Sequence, residues 1–356
     1  MKTTGGGKMA AFERVHELIL QGLEQGAYPS AALAIGIGDK VYRKEVYGSC
    51  GEHTLFDMAS ITKILSPTMV AFRFLEEGLI RLYDTISVFF PDAPEDRKDI
   101  TVLQLMTHTS GIPDHFFIFD GTDDPADTVK VILNHPLEQA PGGDPIYTCM
   151  GYIVLGKILE KVGGAPLDVL AEKYVFGPLG MTHTGYHPTG DIAPTELDPE
   201  TGELLCGVVH DENARFLKGI SANAGVFSDL EDMIVFTKML ACGGRTQDGT
   251  AYLSPAMLSR ALTNHTPNSK GEFRGLGFNL ARSPSNFLGD LLGPRTYGHT
   301  GFTGTSFAVD PDTGLWVVLL TNRVCPTREN TKMIRIRSLV HNAAAAEASR
   351  LLAQSK

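Results

Sequence analysis

Strand-forming sequence is confined to the two ends of this chain. Residues 31–37 and 40–47 read as strands, and Gly38-Asp39 between them suits a hairpin turn. The next strand patterns come only in the last third, at 274–281, 295–298, 305–310 and 315–322. Pro311-Asp312-Thr313-Gly314 forms a turn before the last of these. One antiparallel sheet can draw on both portions only if the chain leaves it after residue 47 and returns late. Helical spacing fills the interval. Phe12, Val15, Leu18, Ile19 and Leu23 place a helix over 11–25, ended by Gly26. Further helices are expected over 64–83, from the cap Thr101 to the stop at Gly111, and over 151–162, 166–176, 229–242, 254–263 and 328–352. Residues 184–213 are a long polar excursion. The expected class is α+β, an antiparallel sheet flanked by helices, with residues 9–63 and 214–356 as the sheet domain and 64–213 as a mostly helical insert. A chain of 356 residues exceeds the roughly 250–300 at which one core stops growing, which agrees with two subdomains.

The net charge of -10 and a pI near 5.6 argue against nucleic acid or an anionic membrane surface as the main partner. No apolar run is long enough for a transmembrane helix. Met1 to Lys8 is polar and glycine-rich and reads as a tag ahead of a natural start near Met9. The five cysteines (Cys50, Cys149, Cys206, Cys242, Cys325) are scattered and odd in number. That favours reduced thiols and a cytoplasmic setting, with export the alternative if a leader has been removed.

Ser60-Ile61-Thr62-Lys63 is the stretch with chemical content. Residues three apart on a helix share a face, so Lys63 can bring its amine to the Ser60 hydroxyl. A serine hydroxyl needs a neighbouring base to act as a nucleophile, and burial lowers the pKa of a lysine toward that role. A helix N-terminus at Ser60 also favours an anionic transition state. Two later stretches supply companions. Tyr147 lies in a loop ahead of an apolar helix, and His299 lies beside small residues on a strand. No G-x-S-x-G elbow, P-loop, G-x-G-x-x-G or H-E-x-x-H is present. His183, His187 and His210 raise a zinc reading, since 183 and 187 have i, i+4 spacing. Gly185 and Pro188 make a helix there improbable, and zinc is set aside.

Ser60-x-x-Lys63, Tyr147-x-Cys149 and His299-Thr300-Gly301, in that order, resemble the three-motif plan of the serine β-lactamase and DD-peptidase superfamily. The closer likeness is to class C β-lactamases and their penicillin-binding-protein-like and esterase relatives. Gln104 to Gly111, Gly151 to Gly156, Pro178 to Met181 and Gly304 through Arg323 also fit that branch. The resemblance implies a β-lactamase/transpeptidase-like fold and an acyl-enzyme on Ser60. It implies that Lys63 holds the proton network and that Tyr147 acts as base and acid, its phenol pKa lowered by Lys63. It implies an oxyanion hole from the backbone N–H groups of Ser60 and Phe302, and no metal or cofactor.

Two residues depart from the pattern. Cys149 stands where the family has asparagine, and a thiol replaces an amide poorly. His299 stands where β-lactamases favour lysine, and neutral histidine holds a carboxylate weakly. The expected function is serine hydrolysis of carboxylic esters, small acyl amides or D-amino-acid peptides, with weak or no β-lactamase activity. The alternatives are a non-catalytic binding or scaffolding protein and an acyltransferase that uses the same acyl-enzyme.

Overall fold

The computed structural model describes residues 11–114, 116–281 and 288–354. The expected tag at Met1 to Lys8 lies outside the described residues. The strands are β1 (Ser30–Ile37), β2 (Lys40–Gly48), β3 (Phe56–Asp57), β4 (Phe227–Ser228), β5 (Asn279–Leu280), β6 (Tyr297–Thr300), β7 (Ser306–Val309) and β8 (Leu315–Thr321). Six of them form one antiparallel sheet in the order β2-β1-β8-β7-β6-β5, so the two ends of the chain do meet in one sheet. β3 and β4 pair separately.

The join between the two portions is β1 against β8, and both are buried on both faces. Alternate side chains point to opposite faces of a strand. Ala31, Leu33 and Ile35 of β1, with Leu315, Val317 and Leu319 of β8, face the helices Glu13–Glu24 and Lys332–Gln354. Ala32 and Ala34, with Trp316, Val318 and Leu320, face the larger core, which includes the helix Leu230–Ala241 and the helices of the middle of the chain. Trp316 is fully buried and donates from Nε1 to the carbonyl of Gly38, 2.9 Å away. A Leu or Val buried this way contributes about 1.5–3 kcal/mol.

Three expectations need correction. The strand expected over 274–281 shrinks to Asn279–Leu280. Gly277 takes φ +82° in a tight turn closed by the Gly275 N–H on the Phe278 carbonyl, and this breaks the strand. The helix expected over 64–83 ends at Glu76. It opens as a 3-10 turn at Ala59–Ile61 and widens to π-type turns over Ile64–Thr68 around Pro67, which has no N–H to donate. The helix after Thr101 covers only Val102–Met106, although Thr101 and Gln104 do form a capping box.

Candidate active site

The site is built outward from β3. Asp57, buried at its end, accepts hydrogen bonds from the N–H of Ala59 (2.8 Å) and of His210 (2.7 Å). Ala59 is thereby held at φ 45°, a conformation that costs a residue with a Cβ about 1–2 kcal/mol. The segment 301–305 grips the same turn from the sheet. Thr303 donates to the Asp57 carbonyl (2.7 Å) and Thr305 to that of Met58 (3.3 Å). Gly301 lies so close that a Cβ there would sit 2.6 Å from the Met58 carbonyl oxygen. Ser60, half-buried, follows directly.

Lys63 is fully buried on the next turn. Its Nζ lies 3.0 Å from Ser60 Oγ, 3.4 Å from Cys149 Sγ and 3.0 Å from the carbonyl of Asn223. Cys149 begins the helix Cys149–Gly163. Thr148 caps that helix by accepting from the N–H groups of Met150 and Gly151, and its hydroxyl donates to the Pro113 carbonyl. Tyr147 immediately precedes the cap. Lys63 Nζ stands 5.0 Å from its ring centre, and both Ser60 and Lys63 act on its phenol. The expected trio and Cys149 are thus brought together by contact.

His299 on β6 is buried, with its ring centre 6.1 Å from that of Tyr147. Its Nδ1 lies 2.8 Å from the Thr300 carbonyl, which can only accept, so Nδ1 carries the proton and Nε2 bears a lone pair. That Nε2 has no hydrogen-bond partner among the described residues. Burial, with Arg274 and Lys63 nearby, drives the His299 pKa down to about 3, so the ring stays neutral. Phe302 is half-exposed at the rim, stacked on His210 and lying under the Arg323 guanidinium.

The expected effects on protonation are present but outweighed. Burial pulls the Lys63 ammonium down as expected, but coupling to Cys149 and Tyr147 outweighs it, and the lysine pKa moves up. The Tyr147 phenol also moves up, because burial outweighs the pull of Lys63. Burial pushes the Cys149 thiol up as well. At rest the site therefore holds ammonium, phenol and thiol.

Sequence reasoning missed three participants. Arg274, buried, pairs with Glu272 and stands 5.1 Å from the Tyr147 ring centre. Asn223 contributes its carbonyl to Lys63 and accepts through Oδ1 from Ser221 Oγ (2.6 Å). Its buried Nδ2 is the donor of an amide that acts on the Cys149 thiol and pulls its pKa down against the larger effect of burial. Asp57 was visible only as a neighbour of Ser60. The small-residue run Ser221 to Gly225 was a signal of close packing; nothing marked Arg274. His108 accepts the Thr148 N–H at Nδ1, and its ring centre lies 4.6 Å from that of Tyr147. His183, His187 and His210 do not assemble; each meets a different carboxylate, of Asp229, Asp168 and Glu196. A cleft of about 1310 Å³ elsewhere, lined by Arg73, Lys173 and Tyr252 among others, includes none of the residues around Ser60. No helix of the described residues is long and apolar enough to cross a membrane.

Comparison with known proteins agrees with this geometry. A protein of Escherichia coli K12 named "Putative D-alanyl-D-alanine carboxypeptidase" is 30% identical over 365 aligned positions, covering 87% of this chain and 82% of its own. The N-acetylmuramyl-L-alanine amidase of Bacillus subtilis 168 is 27% identical, covering 87% and 80%. Among solved structures, "EstCE1, a hydrolase with promiscuous acyltransferase activity" superposes with TM-score 0.74 at 22% identity, covering 94% of this chain and 98% of its own. A penicillin-binding protein homologue from Caulobacter crescentus gives 0.74 at 19%, covering 98% and 100%. At those identities the likeness establishes the fold, which is β-lactamase/transpeptidase-like. Residues 15–341 match the family model described as Beta-lactamase, and the chain belongs to that family, within the serine β-lactamase and transpeptidase superfamily.

Proposed function

We propose that the chain is a serine hydrolase that works through an acyl-enzyme on Ser60. The observation that carries this reading is the fully buried Lys63 Nζ, 3.0 Å from Ser60 Oγ and 5.0 Å from the centre of the Tyr147 ring. In acylation Ser60 Oγ attacks the substrate carbonyl and its proton passes to the Lys63–Tyr147 pair. The backbone N–H groups of Ser60 and Phe302 would receive the oxyanion. The leaving alcohol or amine takes the proton back, giving Ser60–O–CO–R and the free leaving group. Water then attacks the ester, releasing the carboxylic acid and restoring Ser60.

The resting site carries one proton too many for this cycle. Turnover requires the pair to lose it, and the phenolate so formed is flanked by the cations Lys63 and Arg274 at 5.0 and 5.1 Å from its ring centre. The Thr300 carbonyl accepts the hydrogen bond of the His299 Nδ1–H, which leaves the neutral ring with a bare lone pair at Nε2. A lone pair repels a substrate carboxylate and attracts an N–H or O–H. With Cys149 in place of an amide, this favours esters and small acyl amides, then D-amino-acid peptides, over β-lactams. The names of the carboxypeptidase-like and amidase relatives fit acyl-transfer chemistry of this kind.

Rapid mixing with short-chain p-nitrophenyl esters tests the reading. A p-nitrophenol burst of one equivalent before steady turnover is expected. No burst and no turnover across ester, D-alanyl peptide and nitrocefin panels would favour a non-catalytic binding protein.

A further inference from the structure

A second cluster of chemically capable side chains lies away from Lys63 and Tyr147. His183, which its sequence spacing had grouped with His187, meets different partners. Its Nδ1 lies 2.8 Å from Asp229 Oδ2, and His53 Nδ1 lies 3.3 Å from the same oxygen. All three donor atoms fall within 4.8 Å of one another. The two rings stand edge to face, 5.2 Å apart, at a concave pocket of about 300 Å³. The histidine side chains are 63% and 48% exposed, while the Asp229 carboxylate is wholly buried.

Charge makes this arrangement unusual. Asp229 Oδ1 caps the helix Leu230–Ala241 by accepting the Asp232 N–H (2.9 Å), so a second carboxylate sits beside the first. Asp232 is buried too and accepts only from the His183 N–H and the Thr184 hydroxyl, both at 2.8 Å. Among the described residues no lysine or arginine pairs with either acid; Lys44, which feels the charge of Asp229, is paired with Glu231. Two buried carboxylates that meet imidazoles, a hydroxyl and backbone N–H groups but no paired lysine or arginine among the described residues are short of compensating charge.

We propose that His53, His183 and Asp229 bind one divalent transition metal ion through Nδ1, Nδ1 and Oδ2. Imidazole with carboxylate is a donor set for Zn²⁺, Co²⁺ or Ni²⁺ rather than for Ca²⁺ or Mg²⁺. Metal bonds of ~2.0–2.1 Å in a tetrahedron place ligand atoms about 3.4 Å apart, close to the separations from Oδ2 seen here. The ion takes the place of the hydrogen bonds on Asp229 Oδ2, its charge offsets Asp229 and Asp232, and the pocket leaves room for a water as fourth ligand. Each histidine keeps Nε2 free for solvent or a further hydrogen bond. The ion would tie the turn that carries His53 to the start of the helix Leu230–Ala241. β3 and the Ser60 turn follow that turn directly, so the expected consequence is stabilisation of the small β3–β4 sheet.

Equilibrium dialysis of the full chain against micromolar Zn²⁺, with metal counted by mass spectrometry, tests the proposal. Co²⁺ gives a visible-absorption readout of the same site. One equivalent is expected for the wild type and for His135→Ala, a histidine elsewhere on the surface. His53→Ala and His183→Ala should each weaken binding at least ~10-fold. Asp229→Asn keeps the helix cap and should do the same. Zinc should raise Tm in the wild type and in His135→Ala, and in none of the three ligand variants. Failure of the folded wild type to take up one equivalent, or equal uptake by His53→Ala and His183→Ala, overturns the proposal.

Discussion

The two walls that meet at Ser60 are built on different principles. On the nucleophile side the polar groups are matched. Asp57 takes the N–H groups of Ala59 and His210, Thr303 and Thr305 take the carbonyls of Asp57 and Met58, and Lys63 has three partners. On the facing side, buried polar atoms are left without partners among the described residues: His299 Nε2 and His108 Nε2. An unpaired buried polar atom costs about 1–3 kcal/mol. One wall is finished before substrate arrives, and the other presents unmet acceptors and donors. The difference separates what the site does from what it accepts. On the proposed reading, the chemistry belongs to Ser60–Lys63 and the choice of substrate to His299, Asn223 and Cys149.

Substitutions can break that division. Lys63→Met should have the largest effect, lowering kcat/KM for p-nitrophenyl esters at least ~10³-fold while the protein stays folded, because the Lys63–Tyr147 pair proposed to take the Ser60 proton is broken. A loss below tenfold would move the proton chemistry off Lys63. Next is Asp57→Ala, which leaves two buried N–H groups unpaired at about 1–3 kcal/mol each and frees the strained Ala59. Denaturant unfolding should show that loss together with lower activity; an unchanged midpoint would mean that Asp57 does not hold the turn.

The pH profile sharpens the comparison. The Lys63 and Tyr147 pKa values lie above their ordinary positions, so the form with one proton fewer gains population as pH rises. kcat/KM should therefore climb from neutral into alkaline solution. His299, with its pKa near 3, should add no step between pH 5 and 8. A profile that falls above neutrality contradicts this protonation pattern. The smallest effect is expected on the recognition wall. Cys149→Asn should shift the amide-to-ester ratio of kcat/KM upward by about 3–10-fold, the worth of roughly one hydrogen bond. An unchanged ratio would remove Cys149 from substrate choice.

The sheet was legible because its central strands are short, almost continuous apolar runs and their turns carry the expected residues: Gly38-Asp39 and Pro311 to Gly314 sit where the hairpins are. The strand expected over 274–281 was not, because residue types suit a strand there while Gly277 at positive φ sends the backbone into a turn. That turn also delivers Arg274 to Tyr147, a contact with no local signature. Ser60, Lys63, Tyr147 and His299 could be read because motif spacing survives without knowledge of packing. Their protonation could not. It depends on how burial competes with charge coupling among Lys63, Tyr147 and Cys149, which come from distant parts of the chain. His53, His183 and Asp229 were hidden for the same reason, since spacing pointed His183 toward His187.

Covalent labelling tests the Ser60 assignment most directly. A fluorophosphonate probe followed by intact-mass and peptide mass spectrometry should add one adduct per wild-type chain, on Ser60. The folded Ser60→Ala variant should take up none. Equal labelling of Ser60→Ala, or an adduct carried by Cys149 or another residue in the wild type, would contradict Ser60 as the nucleophile.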